Sequence, residues 1–211
     1  MTIYNHWEAI DWACTDRPFK EFFKTDIIEA FEKECSRPQP NLELLTFLYD
    51  ELKRRNNKKI EIIAKKFDFV GIPWLLKARL TLKDLEPPKQ KSGSVNLYVI
   101  LRGGFASQTG GYGIYVGQTA KTRIERFNEH KAGGDSAGRG LKKHGIQILE
   151  SLCWPWHGVP TGKKREHIYY ESALHVTLER EVKKVKGDYK KVEEWPGGFQ
   201  QNLIKCLEDN R

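Results

Sequence analysis

No apolar run in this 211-residue sequence approaches the roughly 18 residues that a membrane-spanning helix requires, so an integral membrane protein is not expected. The N-terminal stretch MTIYNHWEAIDWACTDR lacks a basic start followed by an apolar core and does not read as a secretory signal, which makes a cytoplasmic location the expectation. Cysteine is scarce. Cys14, Cys35, Cys153 and Cys206 are scattered with no CxxC spacing, which argues against a sequence-local zinc site and against a disulfide framework, and they read as reduced thiols. There is no internal repeat and no low-complexity tract.

Acidic residues are outnumbered, 28 against 36 basic, giving a net charge of +8. A positive field attracts polyanions, of which nucleic acid is the commonest in a cell. This pointer gains weight only beside a site suited to phosphate chemistry. Apolar content of 39% and charged content of 30% describe an ordinary globular chain. Its length suits one large domain or two small ones, since domains hold roughly 100–200 residues.

The first part of the chain reads as helical. In RPFKEFFKTDIIEAFEKEC, residues Phe19, Phe22, Phe23, Ile27 and Phe31 recur near the helical period, as do Leu44, Leu45, Leu48 and Leu52 in NLELLTFLYDELKRRNN. KKIEIIAKKFDFV and PWLLKARLTL are shorter candidates, the latter starting on Pro73. KDLEPPKQKSGS then reads as a linker. The predicted organisation is a helical N-terminal region over residues 1–82, a linker over 83–94 and a second domain over 95–211.

In the second domain NLYVIL and YGIYV predict an antiparallel hairpin joined by a glycine-rich loop, and IQILESLCW a third strand. Thr122 and Glu125 form a T-x-x-E capping box that starts a helix at about Arg123. SAGRGLKKHG suits a further short helix, and residues 163–186 a long one. The expected fold class is therefore α+β: a small antiparallel three-stranded sheet flanked by helices, preceded by an all-helical N-terminal region.

Three features in this domain have a chemical reading beside a structural one. Arg126 and His130 are four apart and share a helix face, joined by Arg123, while Ile124 and Phe127 would dock on the sheet. A guanidinium in the first helical turn suits a phosphate; the alternative is a solvated basic face. Tyr98 and Tyr115 lie on neighbouring strands, either as converging hydroxyls or as packed sheet tyrosines. Glu171 falls in the apolar stripe of Ile168, Leu174 and Leu178, where a carboxylate needs an ion-pair partner or a metal, whereas Glu166, Glu179 and Glu181 read as solvated.

Together these elements resemble the GIY-YIG nuclease domain. Asn96-Leu97-Tyr98 keeps only the tyrosine of the first signature, whereas Tyr115-Val116-Gly117, followed by Gln118-Thr119, fits the second closely. Arg126 with His130 four residues on fits the family arginine and histidine, and Glu171 fits the glutamate on the helix after the third strand. The resemblance covers about residues 94–186. Family members often complete the site with an asparagine after that helix, and Asn202 is the one in range here.

The resemblance implies hydrolysis of DNA phosphodiesters with one divalent metal, Mg²⁺ with Mn²⁺ as a substitute, held by Glu171. In that reading Tyr98 accepts the proton of the attacking water, Arg126 holds the nonbridging oxygens, and Tyr115 and His130 orient water and phosphate or relay the proton. A free phenol has a pKa near 10, so Tyr98 needs assistance to act as a base. Lys163, Lys164 and Arg165, with Arg102 and Arg123, are candidates to grip DNA, as are Arg139, Lys142 and Lys143 near a groove. Trp154 and Trp156 read as core packing, Cys153 as buried, and His144, His157, His167 and His175 as no persuasive metal cluster.

Excision-repair and junction-resolving members carry additional domains that these 211 residues do not contain. The layout looks most like the stand-alone type II restriction endonucleases of the family, which implies double-stranded DNA as partner, a homodimer matched to a palindrome, and no membrane or small-molecule cofactor. The alternatives are a low-specificity mobile-element, phage or repair nuclease, a catalytically inactive nucleic-acid-binding module, or a helical interaction protein.

Overall fold

A computed structural model describes residues 1–12, 14–83, 85, 95–105, 111–134, 137–138, 140–153, 159 and 166–187. The chain divides into two compact units, Met1–Leu76 and Lys77–Arg211. The predicted linker falls almost wholly outside the described residues, as do Trp154, Trp156, His157, Lys163, Lys164, Arg165, Arg139 and Asn202.

The first unit is built from α1 (Ile3–Glu8), α2 (Lys24–Cys35), α3 (Leu42–Arg54) and α4 (Lys59–Lys66). Its core is the apolar stripe anticipated for these segments: Ile27, Phe31, Leu44, Leu45, Leu48, Leu52 and Ile60 are all buried, together with Phe19. Asn41 caps α3 by accepting from the Leu44 amide at 3.0 Å.

The expected helix through RPFKEFF is absent, and Arg55 supplies the reason. Its guanidinium donates to the carbonyls of Phe19 (2.8 Å), Lys20 (2.7 Å) and Phe22 (2.7 Å). Carbonyls that a helix would use as acceptors are thus satisfied from outside, and α2 begins only at Lys24. Phe23 is consequently exposed rather than packed. Arg55 is itself held by Glu51, whose buried carboxylate also takes a two-bond grip from Arg17 at 2.8 and 3.1 Å.

The helix α5 (Leu75–Lys83) runs across the boundary between the units. Within the second unit, Glu181 accepts from Lys77 at 2.9 Å and from Thr81 at 3.2 Å. Glu181 is therefore half-buried and paired, a correction to its reading as a solvated residue.

The second unit is α+β. Its strands are β1 (Asn96–Arg102) and β2 (Gly113–Thr119), followed after α6 (Arg123–Ala132) and α7 (Leu141–His144) by β3 (Gly145–Ile148). Then come α8 (Glu150–Cys153), α9 (Glu166–Glu179) and β4 (Val185–Lys186). The sheet order is β3-β1-β2-β4. β1 pairs antiparallel with β2 and with β3, but β4 lies parallel to β2. The sheet is therefore four-stranded and mixed, not the three-stranded antiparallel sheet expected.

The fourth strand comes from residues read as the end of the long helix. Two glycines let its backbone come close. A Cβ at Gly113 would lie 2.6 Å from the Lys184 carbonyl oxygen, and one at Gly187, where φ is +132°, would lie 2.2 Å from that of Val116. Likewise IQILESLCW divides into β3 and α8. Cys153 on α8 receives the Val99 amide on its sulfur at 3.2 Å and is fully buried.

Candidate functional site

The hairpin register decides where the tyrosines go. Tyr98 stands opposite Gly117, and Tyr115 opposite Ile100. Directly opposed residues share a face, and so do residues two apart on a strand, so both tyrosines project from the same side as diagonal neighbours. Their rings lie 6.3 Å apart with an interplanar angle of 21°. The space above Gly117 is what admits them: a Cβ there would sit 2.5 Å from both Cζ and Oη of Tyr98 and 2.9 Å from Cε1 of Tyr115.

The capping box at Thr122 and Glu125 forms as expected and starts α6 at Arg123, and Gly133 ends it with φ at +83°. Lys131 ties the end of this helix to the next elements by donating to the carbonyls of Lys142 (3.1 Å) and Gly145 (2.8 Å). The inward face of α6 differs from the one expected. Ile124 is 64% exposed, while His130 is fully buried and Arg123, Arg126 and Phe127 are half-buried. Arg123, Phe127 and His130 follow an i, i+4, i+7 stripe, and that stripe, polar at two of three positions, is the one turned to the sheet.

His130 meets the tyrosines there, with ring centroids 5.8 Å from Tyr98 and 5.7 Å from Tyr115. Its Nε2 lies 2.8 Å from the Tyr98 hydroxyl, and its Nδ1 accepts the Gly138 amide at 2.8 Å. A backbone N–H only donates, so Nδ1 carries no proton and the neutral ring holds its proton on Nε2. The Tyr98 oxygen is therefore the acceptor of that hydrogen bond. Burial, and secondarily the charge of Arg126, push the His130 pKa down to about 4, against a smaller opposing effect of Glu129. The imidazole is neutral at pH 7.

Burial raises the Tyr98 pKa above its ordinary value, and Tyr115 and Glu171 push the same way. A hydrogen bond and the charge of Arg126 oppose them. The resting group is thus a neutral phenol whose oxygen accepts from both His130 and Arg126. Arg126 also donates to Glu129 at 3.0 Å.

Glu171 lies on α9 and is 5% exposed. Residues 171–175 of this helix are all buried, so the apolar stripe read from the sequence understates how deeply it is enclosed. The charge of Glu171 is felt by the Tyr98 phenol as the smallest of the influences on it. Among the described residues no group of three or more His, Cys, Asp and Glu side chains gathers as a ready-made cage. Glu171, a single buried carboxylate, is the one site candidate with the chemistry to ligate a hard ion such as Mg²⁺, which takes one or two carboxylates and completes its shell with water and substrate oxygens.

Four of the candidate residues, Tyr98, Tyr115, Arg126 and His130, thus come together, and Glu171 acts on Tyr98 through its charge. Two others do not join them. Arg123 pairs with Glu150 at 3.2 Å, and Arg102, at the far end of β1, covers the Phe105 ring at 5.0 Å. Three participants escaped the sequence reading. Gly138 fixes the histidine tautomer, and a Cβ on it would lie 2.8 Å from Tyr115 Cζ. Glu129 stands three residues after Arg126 and binds it, a spacing that was available as a signal. Lys121, in the turn before α6, binds the same carboxylate. Searched against models of known protein families, against curated proteins and against solved structures, the chain matches none of them.

Proposed function

We propose that this protein is a metal-dependent endonuclease that hydrolyses phosphodiester bonds in double-stranded DNA, sequence-specific in the manner of a type II restriction enzyme and acting as a homodimer. The observation that carries this reading is the convergence of Tyr98, Tyr115, Arg126 and His130 from a hairpin and a helix onto one cluster, which also feels the charge of the buried Glu171. The net charge of +8 favours a polyanionic substrate.

In the reaction, water attacks phosphorus and the P–O3′ bond breaks, leaving a 5′-phosphate and a 3′-hydroxyl. Arg126 binds the nonbridging oxygens as charge builds on them. Tyr98 would take the proton of the attacking water as a phenolate, its own proton having first been released to bulk water. His130 holds the phenol oxygen through Nε2–H and stabilises a phenolate as a donor; with Nε2 already protonated, it is not the group that takes the Tyr98 proton. Tyr115 orients the nucleophile. Glu171 would hold Mg²⁺, or Mn²⁺ in its place, which supplies positive charge to the phosphate and the leaving oxygen and offsets the carboxylate charge that raises the Tyr98 pKa. The Lys163-Lys164-Arg165 run would add contacts to flanking DNA, whereas Arg123, turned to the sheet and paired with Glu150, would not.

The test is cleavage of supercoiled plasmid with Mg²⁺ or with EDTA, comparing wild type with Tyr98→Phe and Glu171→Ala. Discrete fragments are expected from the wild type, with Tyr98→Phe slower by about 10²-fold or more. A smear or nicks alone would remove the restriction reading and leave a low-specificity nuclease. The raised pKa of Tyr98 favours one rival, a nucleic-acid-binding module without catalysis. Retained binding with no cleavage by any form would establish that rival.

A further inference from the structure

Beside Arg126 lies a groove of about 490 Å³, lined by Thr119, Lys121, Arg126, Glu129 and the small residues Ala132 and Gly134. Two cations meet at it over one carboxylate. Glu129 takes Lys121 Nζ on Oε1 and Arg126 Nη1 on Oε2. Lys121 is not a loosely attached surface residue. Its amide donates to Thr119 Oγ1 at 3.0 Å, and its carbonyl accepts from Asn96 Nδ2 at 3.2 Å, so β1 and the end of β2 fix its backbone. Its side chain reaches over the groove while remaining more than half exposed.

An ammonium and a guanidinium sharing one carboxylate form a site shaped for an anion, here filled by the protein's own side chain. We propose that this groove is a second phosphate subsite, in which Lys121 takes the phosphate next to the scissile one, and that Glu129 is the internal anion which DNA displaces on binding, freeing Arg126 for the scissile phosphate. The inference rests on the nuclease reading of the neighbouring cluster. The carboxylate competes with phosphate for both cations, so it weakens DNA binding and keeps Arg126 oriented before substrate arrives. Lys121 is the stronger influence holding the Glu129 carboxyl below the ordinary range, with Arg126 also contributing.

The experiment measures binding of the full chain to a fluorescein-labelled duplex by anisotropy, in EDTA, between 50 and 300 mM salt. Each phosphate neutralised by a cation contributes about 0.9 to the slope of log affinity against log salt. Lys121→Ala should therefore flatten the wild-type slope by about one. Glu129→Gln should bind several-fold more tightly, and this gain should shrink in the Lys121→Ala background, because the two residues act on one another. An unchanged slope in Lys121→Ala, or a Glu129→Gln gain independent of Lys121, would overturn the subsite while leaving the nuclease reading standing. A wild type with no salt-dependent binding would overturn both.

Discussion

His130 donates its Nε2 proton to the Tyr98 hydroxyl across 2.8 Å, because the Gly138 amide occupies the other ring nitrogen. Protonating the ring would set two donors against each other at Nδ1. The folded pKa of His130, about 4, lies below the ordinary value of about 6.5, so the unfolded chain binds more protons between these two limits. Stability contributed by the neutral ring is present above pH 6.5 and is lost as pH falls toward 4, with a linkage ceiling of about 3 kcal/mol. Thermal unfolding of the wild type should drop by several degrees between pH 7 and pH 4.5. His130→Gln should show a smaller drop; an equal one would assign the acid sensitivity to another group.

Gly117→Ala should disturb stability and site together. The added methyl would stand 2.5 Å from the Tyr98 ring, which is enclosed and cannot simply swing away. Overpacking of this kind costs about 1–3 kcal/mol. Denaturant titration should find that loss, and plasmid cleavage should fall with it. Full stability and activity would mean that the tyrosine pair moves freely.

In the helical unit the sensitive point is Glu51. Burial acts to raise its pKa, but Arg17 and Arg55 outweigh burial and hold the carboxyl below its ordinary range. That contribution is present above the unfolded carboxylate pKa and is lost as pH falls through the folded value. Glu51→Ala leaves Arg55 without its carboxylate and loosens the segment from Phe19 to Phe22. A loss of about 3 kcal/mol is expected. Faster amide exchange in α3 would report it, and unaltered exchange would show that Arg55 holds the segment unaided.

Thiol reactivity should divide by location. Cys14 is exposed, whereas Cys153 is buried with its pKa pushed up to about 12, chiefly by burial. Brief iodoacetamide treatment followed by mass spectrometry should label Cys14 in the folded protein and Cys153 only after denaturation. Rapid labelling of native Cys153 would show that α8 opens readily from the sheet.

The sequence disclosed those features that depend on neighbours in the chain. The capping box at Thr122 and Glu125, the apolar stripes of α2 and α3, and the hairpin of β1 and β2 all rest on local periodicity or on one short motif. What escaped it depends on distant partners. Arg55 removes a helix turn more than 30 residues away by taking its carbonyls, and two glycines admit a fourth strand where a charged helix end was expected. On α6 the apolar Ile124 pointed to the wrong face, because the inward face there is occupied by Arg123 and His130 beside Phe127. Site residues were readable as types and spacings. The tautomer of His130 was not, since it follows from an amide eight positions later.

Gly117 is absent from the positions with positive φ, so its backbone is one that other residues can adopt. The hairpin needs glycine here for volume rather than for conformation. Positions 98 and 117 are therefore expected to vary together among related sequences, with Tyr115 as a third partner: a small residue at 98 removes the tighter bar to a side chain at 117, and the Tyr115 ring supplies the other. A search for distant relatives that scores the two columns jointly should recover chains that retain the tyrosine with its opposing gap.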